Sequence, residues 1–181
     1  MDSDLATKDL LNIKRVLDKL GIKFYLTYGA LLGAVREKDW IPFDDDIDLS
    51  IIEPLTYRKR KEIGWAIYDI GFTTNNKITW NVFGRFESNE GGYQGDENTG
   101  IIACERNVPV SIFFFKENEY EPENYICIPK KDGVPVLSIP KKLFEKEEKI
   151  KFQGEMFFTP SPIKEYLEYT YGKTWKTPIK D

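Results

Sequence analysis

Asp44, Asp45, Asp46 and Asp48 place four carboxylates within five consecutive positions, directly ahead of the apolar run Leu49-Ser50-Ile51-Ile52. Like charges this close oppose one another's ionisation, so such a group persists when water solvates it, protons neutralise it or a cation sits among it. In an extended chain alternate side chains share a face, which predicts Asp44, Asp46 and Asp48 on one side and Asp45 with Ile47 on the other. Three same-side carboxylates form a hard-oxygen donor set of the kind that holds Mg²⁺ or Mn²⁺ together with waters and phosphate oxygens. Taken alone, the acids fit a solvated loop or a structural calcium site equally well.

The preceding residues narrow this choice. About fifteen residues upstream, Gly29 and Ala30 open a short stretch of small and apolar residues with helical spacing. Backbone N–H groups at a helix start attract anions, and metal ions held by paired acids can stabilise both the attacking and the leaving oxygens of a phosphate. A Gly-small pair followed at this distance by an Asp-apolar-Asp pair leading a strand resembles the signature of the polymerase-β-like nucleotidyltransferases. The full string from Tyr28 through Gly29-Ala30-Leu-Leu-Gly-Ala-Val-Arg36 to Trp40-Ile-Pro-Phe-Asp-Asp-Asp-Ile-Asp48 is similar to the hallmark of the LicD and fukutin-related family. So are Phe152-Gln-Gly-Glu-Met-Phe-Phe-Thr-Pro160 and Tyr166-Leu-Glu-Tyr-Thr-Tyr-Gly-Lys-Thr-Trp175, whereas the central β region matches only loosely.

That resemblance implies transfer of phosphocholine or a polyol phosphate, such as ribitol phosphate, from a CDP-linked donor to a glycan hydroxyl, with CMP leaving. It implies Asp44, Asp46 and Asp48 as the metal-binding and catalytic acids, with Mg²⁺ or Mn²⁺ as cofactor. Gly29 and Ala30 become the phosphate-facing turn, Arg36 a cation near the donor, Tyr28 a second-tier ligand contact and Asp45 a spectator. One departure stands out. Where the family carries a further acid in a Val-Asp-Ile-Phe pattern, this chain has Val110-Ser111-Ile112-Phe113. A hydroxyl can hydrogen-bond but carries no charge and cannot act as a carboxylate base. Two rival readings stay open: a minimal nucleotidyltransferase acting on a small molecule or protein, and a catalytically weakened nucleotide- or glycan-binding module.

The elements that must position these residues are legible in outline. Leu5, Leu10, Ile13, Leu17 and Leu20 predict an amphipathic helix over 4–20, with Ser3 as cap and Gly21 as stop. A short strand over 22–27, a small-residue helix over 29–37, a strand over 47–52 and a surface helix over 57–70 follow. Segments 72–74, 79–86, 101–104, 110–115 and 125–128 predict strands of one mixed, largely antiparallel sheet, with a glycine-rich loop over 88–100. A hairpin around Gln153-Gly154 and an aromatic-faced helix over 162–171 ended by Gly172 complete the chain, and the Lys and Glu run over 141–151 reads as a solvated face. The expected class is α+β, a nucleotidyltransferase-like mixed sheet flanked by helices in one domain spanning 1–181.

Composition sets further bounds. The chain has no histidine, which excludes histidine acid–base chemistry, and its formal net charge of −4 disfavours a nucleic-acid partner. Two cysteines, Cys104 and Cys127, support neither a disulfide framework nor a zinc site and read as buried small apolar residues. With no signal peptide and no apolar run near the ~20 residues that span a bilayer, a cytoplasmic protein is expected. Arg36, Lys38, Arg85 and Arg106 are candidate diphosphate clamps, the last three reading more simply as surface or structural charges. Trp40 and Phe43 read as plugs fixing the acidic turn, and Trp80 and Tyr93 as aromatics able to meet a quaternary ammonium. The parts that select an acceptor are expected to be absent or supplied by a partner protein.

Overall fold

A computed structural model describes residues 1–42, 44–52, 54–73, 100–117, 121–129 and 135–178. The strand expected over 79–86 and the expected glycine-rich loop up to residue 99, and with them Trp80, Arg85 and Tyr93, lie outside the described residues, as does Phe43. Helix α1 (Ser3–Lys19) buries Ala6, Leu10, Ile13 and Leu17, the stripe that its spacing predicts. Its cap is Asp2 rather than Ser3, because the Asp2 carboxylate accepts from the N–H groups of Asp4 and Leu5, both at 3.0 Å. Gly21, at φ +67°, ends the turn as expected.

The expected first strand contracts to β1 (Tyr25–Leu26), followed at once by α2 (Tyr28–Arg36) and, after the acidic turn, by β2 (Ile47–Ile51). Helix α3 (Tyr57–Asp69) then returns across the core, burying Ile63 and Ile67, and Gly71 at φ +91° lies just past its end. The later strands are β3 (Gly100–Glu105), β4 (Pro109–Phe114), β5 (Lys116–Glu117), β6 (Asn124–Pro129), β7 (Pro135–Pro140), β8 (Glu148–Phe152) and β9 (Glu155–Thr159). Helix α4 (Ile163–Tyr171) closes the order.

These strands form two sheets rather than the single sheet that the sequence suggests. One has six strands in the order β3-β4-β2-β1-β9-β8, and the other has three, β5-β6-β7. The six-stranded sheet is mixed: β2 runs parallel to β4 and β1 parallel to β9, and the remaining pairs are antiparallel. The split follows from local pairing. Strands β5, β6 and β7 pair in sequence order as a meander, whereas β8 and β9 join the six-stranded sheet, and no pattern within a strand states which edge it will join. Of the segment expected at 72–74, Thr73 forms one isolated bridge to Glu105. The mixed α/β class with a helix-flanked mixed sheet is as expected, and one contiguous core runs from Ala6 to Trp175.

The edge strand β8 carries Lys149 and Lys151 alternating with Ile150 and Phe152, a charged pattern that discourages further strand pairing. The β8–β9 hairpin turns at Gln153 (φ +48°) and Gly154 (φ +85°), the two successive positive values that a primed two-residue turn requires. Gln153 also donates to Asp39 Oδ1 at 2.8 Å, tying the hairpin to the loop that leads into the acids.

One polar residue interrupts the apolar stripe of α1. Asp9 is fully buried, and its carboxylate accepts from Arg106 Nε and Nη2 (2.9 and 2.5 Å), Asn107 N and Nδ2 (2.9 and 2.8 Å) and Val108 N (3.3 Å). Arg106 further donates to the Ile70 carbonyl and lies 4.9 Å from the Phe72 ring centroid, so it is a structural charge. The node fixes the turn between β3 and β4, and hence the strand that lies beside β2. Asp9→Ala leaves several buried donors without a partner and is expected to cost about 3–5 kcal/mol. Asp9→Asn, which keeps the shape and part of the bonding, should cost about 1–3 kcal/mol. Denaturant unfolding of both variants checks the order; equal stability to wild type would show that the node is dispensable.

Candidate active site

The acids sit where the loop after α2 turns back on the helix start. Three features hold that loop. The carbonyl of Ile41 accepts from Asp44 N at 3.1 Å, closing a turn. Trp40 is buried, edge-on to Phe152 at 4.9 Å, with its Nε1 donating to Thr7 Oγ1 at 2.9 Å, so it is the plug that the sequence suggested. Gly33 has no side chain because a Cβ there would stand 2.7 Å from the Asp39 carbonyl oxygen. Gly29 answers the same need at the helix start: a Cβ there would collide with Asp44 Oδ2. The two glycines of the Gly-x-x-x-Gly stretch are thus spaces through which the loop approaches α2.

Helix α2 starts without a side-chain cap. Thr27, its N-cap residue, engages Ser50 Oγ at 2.8 Å instead, and the first turn contains no acid of its own. The uncapped positive end of the helix faces acids brought from elsewhere in the chain, and the Gly29 N–H favours the ionised form of Asp48. That help is outweighed. Burial, then the charges of Asp46 and Asp44, push Asp48 up to about 7. Burial also raises Asp44, with Asp46 next in weight, and raises Asp46, with Asp45 next.

Carboxylate oxygens of Asp44, Asp45 and Asp46 all lie within 4.8 Å of one another. Strict alternation of faces does not apply to them, because β2 begins only at Ile47. Asp45, expected to point away, therefore contributes to the gathering, although it is exposed while its two neighbours are half-buried. Asp48 lies one step inside β2. Hard, closely spaced oxygen donors that raise one another's proton affinity fit a divalent cation such as Mg²⁺ or Mn²⁺.

Ser111 stands directly beside them. In the parallel register of β2 and β4, Asp48 pairs with Ser111, so the two side chains leave the same face of the sheet on neighbouring strands. The position that the sequence singled out for a missing carboxylate is therefore adjacent to the acids, and it is occupied by a hydroxyl.

Tyr28 begins α2 at φ +45°, a conformation that costs an aromatic residue about 1–3 kcal/mol. Its N–H donates to Tyr166 Oη at 3.1 Å, its ring lies 5.3 Å from Phe113, and its own buried hydroxyl has no hydrogen-bond partner. Ala30 is buried in the first turn of α2. Arg36 donates to Glu37 Oε1 at 2.6 Å and to the Trp175 carbonyl at 3.2 Å, joining the end of α2 to the C-terminal stretch. Lys38 is exposed, with φ +60°.

Two tyrosines enter the site that residue-by-residue reading passed over. Tyr166 is fully buried beneath the start of α2. Tyr171, at the end of α4, is raised by burial and then by Asp48, Asp44 and Asp46, and Arg36 acts in the opposite sense, so its phenol lies in the field of both the acids and the arginine. Both belong to the closing Tyr-Leu-x-x-x-Tyr-Gly stretch, which was the available signal. Five residues apart on a helix, they project in different directions, and periodicity alone does not join them.

A mixed sheet with acids at the mouth of a central strand, facing an uncapped helix start, defines a nucleotidyltransferase-type site. The family model for the LicD/FKTN/FKRP nucleotidyltransferase domain matches residues 21–162, and the chain belongs to that family. It is 31% identical to the ribitol-5-phosphate transferase FKTN of Macaca fascicularis over 182 aligned positions, covering 97% of this chain and 34% of that protein. The human protein of the same name is 30% identical over the same extent. An uncharacterised Rickettsia prowazekii protein is 51% identical over 67 residues, 37% of this chain and 25% of its own length. The chain thus spans about a third of the fukutin relatives that it matches.

The raised acids set a pH dependence. A carboxyl held above its ordinary value binds its proton more tightly in the folded state, so its contribution to stability is present below the unfolded value near 4 and is lost as pH rises through about 7. Thermal melts in chelator are expected to show a falling Tm between about pH 4 and pH 7, with Mg²⁺ or Mn²⁺ restoring it at the upper end. In Asp46→Asn/Asp48→Asn both the fall and the metal response should be largely lost; a metal response of wild-type size in that variant would place the cation elsewhere.

Proposed function

We propose that this chain is the catalytic domain of a metal-dependent phosphotransferase that moves a polyol phosphate or phosphocholine from a CDP-linked donor to a glycan hydroxyl. The observation that carries this reading is the gathering of Asp44, Asp46 and Asp48 at the uncapped start of α2, with Asp48 pushed up to about 7 by burial and then by the charges of Asp46 and Asp44. Membership of the LicD family and likeness to ribitol-5-phosphate transferases support the class of reaction.

Asp44, Asp46 and Asp48 would hold Mg²⁺ or Mn²⁺, which when bound supplies charge neutralisation for the donor diphosphate. The chain's own groups do the rest. The first turn of α2, at Gly29 and Ala30, presents the positive helix end to phosphate oxygens, and the missing side chain at Gly29 lets Asp44 come up against that turn. Tyr28 holds an unused buried hydroxyl beside the same turn, and Tyr171 lines the site between the acids and Arg36. Ser111 adds a hydrogen-bonding group next to Asp48 without adding charge. The acceptor oxygen attacks the distal phosphorus and gives up its proton to solvent, and CMP leaves with the electrons of the broken P–O bond. Rate enhancement arises from alignment and electrostatics, without a covalent intermediate on the protein. The register of Ser111 with Asp48 favours one second reading, a binding module whose turnover is weakened by the missing acid.

Calorimetric titration with CDP-ribitol, CDP-glycerol and CDP-choline in the presence of Mn²⁺ tests the site. Metal-dependent binding of at least one donor is expected, weakened at least tenfold in Asp46→Asn/Asp48→Asn, a loss of about 1.4 kcal/mol or more. No donor binding at all would defeat the proposal. Product mass after incubation with acceptor separates transfer of the headgroup phosphate from transfer of the nucleotidyl group. Ser111→Asp decides between the two readings: turnover that rises at least tenfold from a low base supports the weakened module, and full wild-type turnover with no gain supports the enzyme.

A further inference from the structure

Helix α4 serves the candidate site with one side and leaves another open. Tyr166 and Leu167 are fully buried, and Tyr166 Oη accepts the N–H of Tyr28, which sets α4 across the start of α2. Glu165, Glu168 and Tyr169 lie on the outer side of the helix. Glu168 precedes Tyr171 by three positions, so the two are neighbours on the helix surface, and Tyr171 lies in the field of the acids.

That outer side is one wall of a pocket of about 210 Å³, lined among the described residues by Glu165, Glu168 and Tyr169 and, opposite them, by Pro140, Lys142 and Leu143. The opposite wall is the end of β7 and the 3-10 turn Lys141–Phe144. The two walls are tied together. Ser161 N, just ahead of α4, donates to the Leu143 carbonyl at 2.7 Å, and Tyr169 Oη donates to the Ser138 carbonyl at 3.1 Å. Tyr169 is thus anchored at its tip yet 53% exposed, so it offers ring surface that is already ordered. The charged groups are held loosely: Lys142 meets Glu165 at 3.6 Å and Lys164 meets Glu168 at 3.7 Å, exposed pairs that contribute little and that a ligand can displace.

This mixture selects a class of ligand. One ammonium against two carboxylates gives no positive field, which disfavours a nucleotide, a free phosphate or an anionic lipid. The volume is below the roughly 300 Å³ at which drug-sized sites begin, so the occupant is on the scale of one small ring. An aromatic ring attracts weakly positive C–H groups to its negative face, while carboxylates accept from hydroxyls and an ammonium donates to them. A neutral pyranose presents both, a face of C–H groups and a rim of hydroxyls.

We propose that the pocket between α4 and the turn Lys141–Phe144 binds a neutral sugar ring of the acceptor glycan, with Tyr169 against its C–H face and Glu165, Glu168 and Lys142 on its hydroxyls. This inference rests on the glycan-directed transfer proposed above and gives the acceptor side of that reaction a place on the chain. An oligosaccharide seated here extends past Glu168 to Tyr171, and so toward the acids.

Two-dimensional amide NMR of the full chain, titrated with glucose, galactose, N-acetylglucosamine, lactose and glucuronic acid in chelator and without nucleotide, provides the measurement. At least one neutral sugar is expected to bind saturably in the millimolar range and to shift amides of the turn Lys141–Phe144 and of α4. Glucuronic acid, which meets two carboxylates, should bind at least about fivefold more weakly than the best neutral sugar. Tyr169→Ala and Glu165→Ala/Glu168→Ala should each weaken the neutral sugar at least about fivefold, whereas Tyr169→Phe, which keeps the ring, should hold it within about twofold. The glutamate variant leaves Tyr169 in place, so the test stands even if Tyr169→Ala folds poorly. Shifts confined to the pocket without CDP-donor binding in the separate calorimetric titration would uphold the sugar site while the transfer reading falls. Donor binding with no sugar-induced shift at these amides, sugar shifts located elsewhere, wild-type affinity in both alanine variants, or tighter binding of glucuronic acid than of any neutral sugar would each overturn the assignment.

Discussion

Crowding of negative charge against the start of one helix is the constraint around which this molecule is arranged. Asp44, Asp46 and Asp48 are each raised by burial and by one or more neighbouring acids, so the cluster by itself works against the folded state at neutral pH. The chain reduces that cost in two ways. It leaves α2 without a side-chain cap, so the positive end of the helix faces the acids, and it leaves Gly29 without a side chain, so Asp44 can come close. A group of acids kept in this way at a cost to stability is expected to be serving chemistry, as strained or destabilised sites often do.

The remainder of the structure supplies rigidity for that arrangement. Strand β2 is central, gripped by β1 on one side and β4 on the other, and Ile47, Leu49 and Ile51 are fully buried. Asp9 fixes the turn that leads into β4, and through the β2–β4 register it fixes which residue stands beside Asp48. On the opposite flank Tyr166 receives the N–H of Tyr28, and Arg36 reaches the Trp175 carbonyl, so both ends of α2 are tied to the C-terminal part of the chain. A buried carboxylate with five hydrogen-bond donors and a buried phenol at a helix start fix geometry more than they add net stability.

Local signals were legible where the physics is local. The apolar stripes of α1 and α4, the stops at Gly21, Gly71 and Gly172, the Gln153-Gly154 hairpin and the plug at Trp40 each follow from spacing or residue type within a short window. Motif resemblance pointed to the candidate site, because Gly29 and the acids are written into one continuous string. Less legible were the split into two sheets, the replacement of Ser3 by Asp2 as cap, and the inward role of Arg106. Each depends on which of several chemically similar candidates wins a contact, and that is decided by packing.

By itself the sequence determined that carboxylates would crowd at the mouth of a strand behind a Gly-small helix start, because types and spacing are one-dimensional facts. It also determined that position 111 bears a hydroxyl and no charge. Only the tertiary structure decided that Ser111 lies beside Asp48, since strand register joins residues 63 positions apart. The same holds for Asp45, which joins Asp44 and Asp46 because the strand starts after them, and for Tyr171, which meets the acids because α4 folds back across α2. The alternation that separates faces is a property of an extended ladder, and ladders are made by partners that a single segment does not contain.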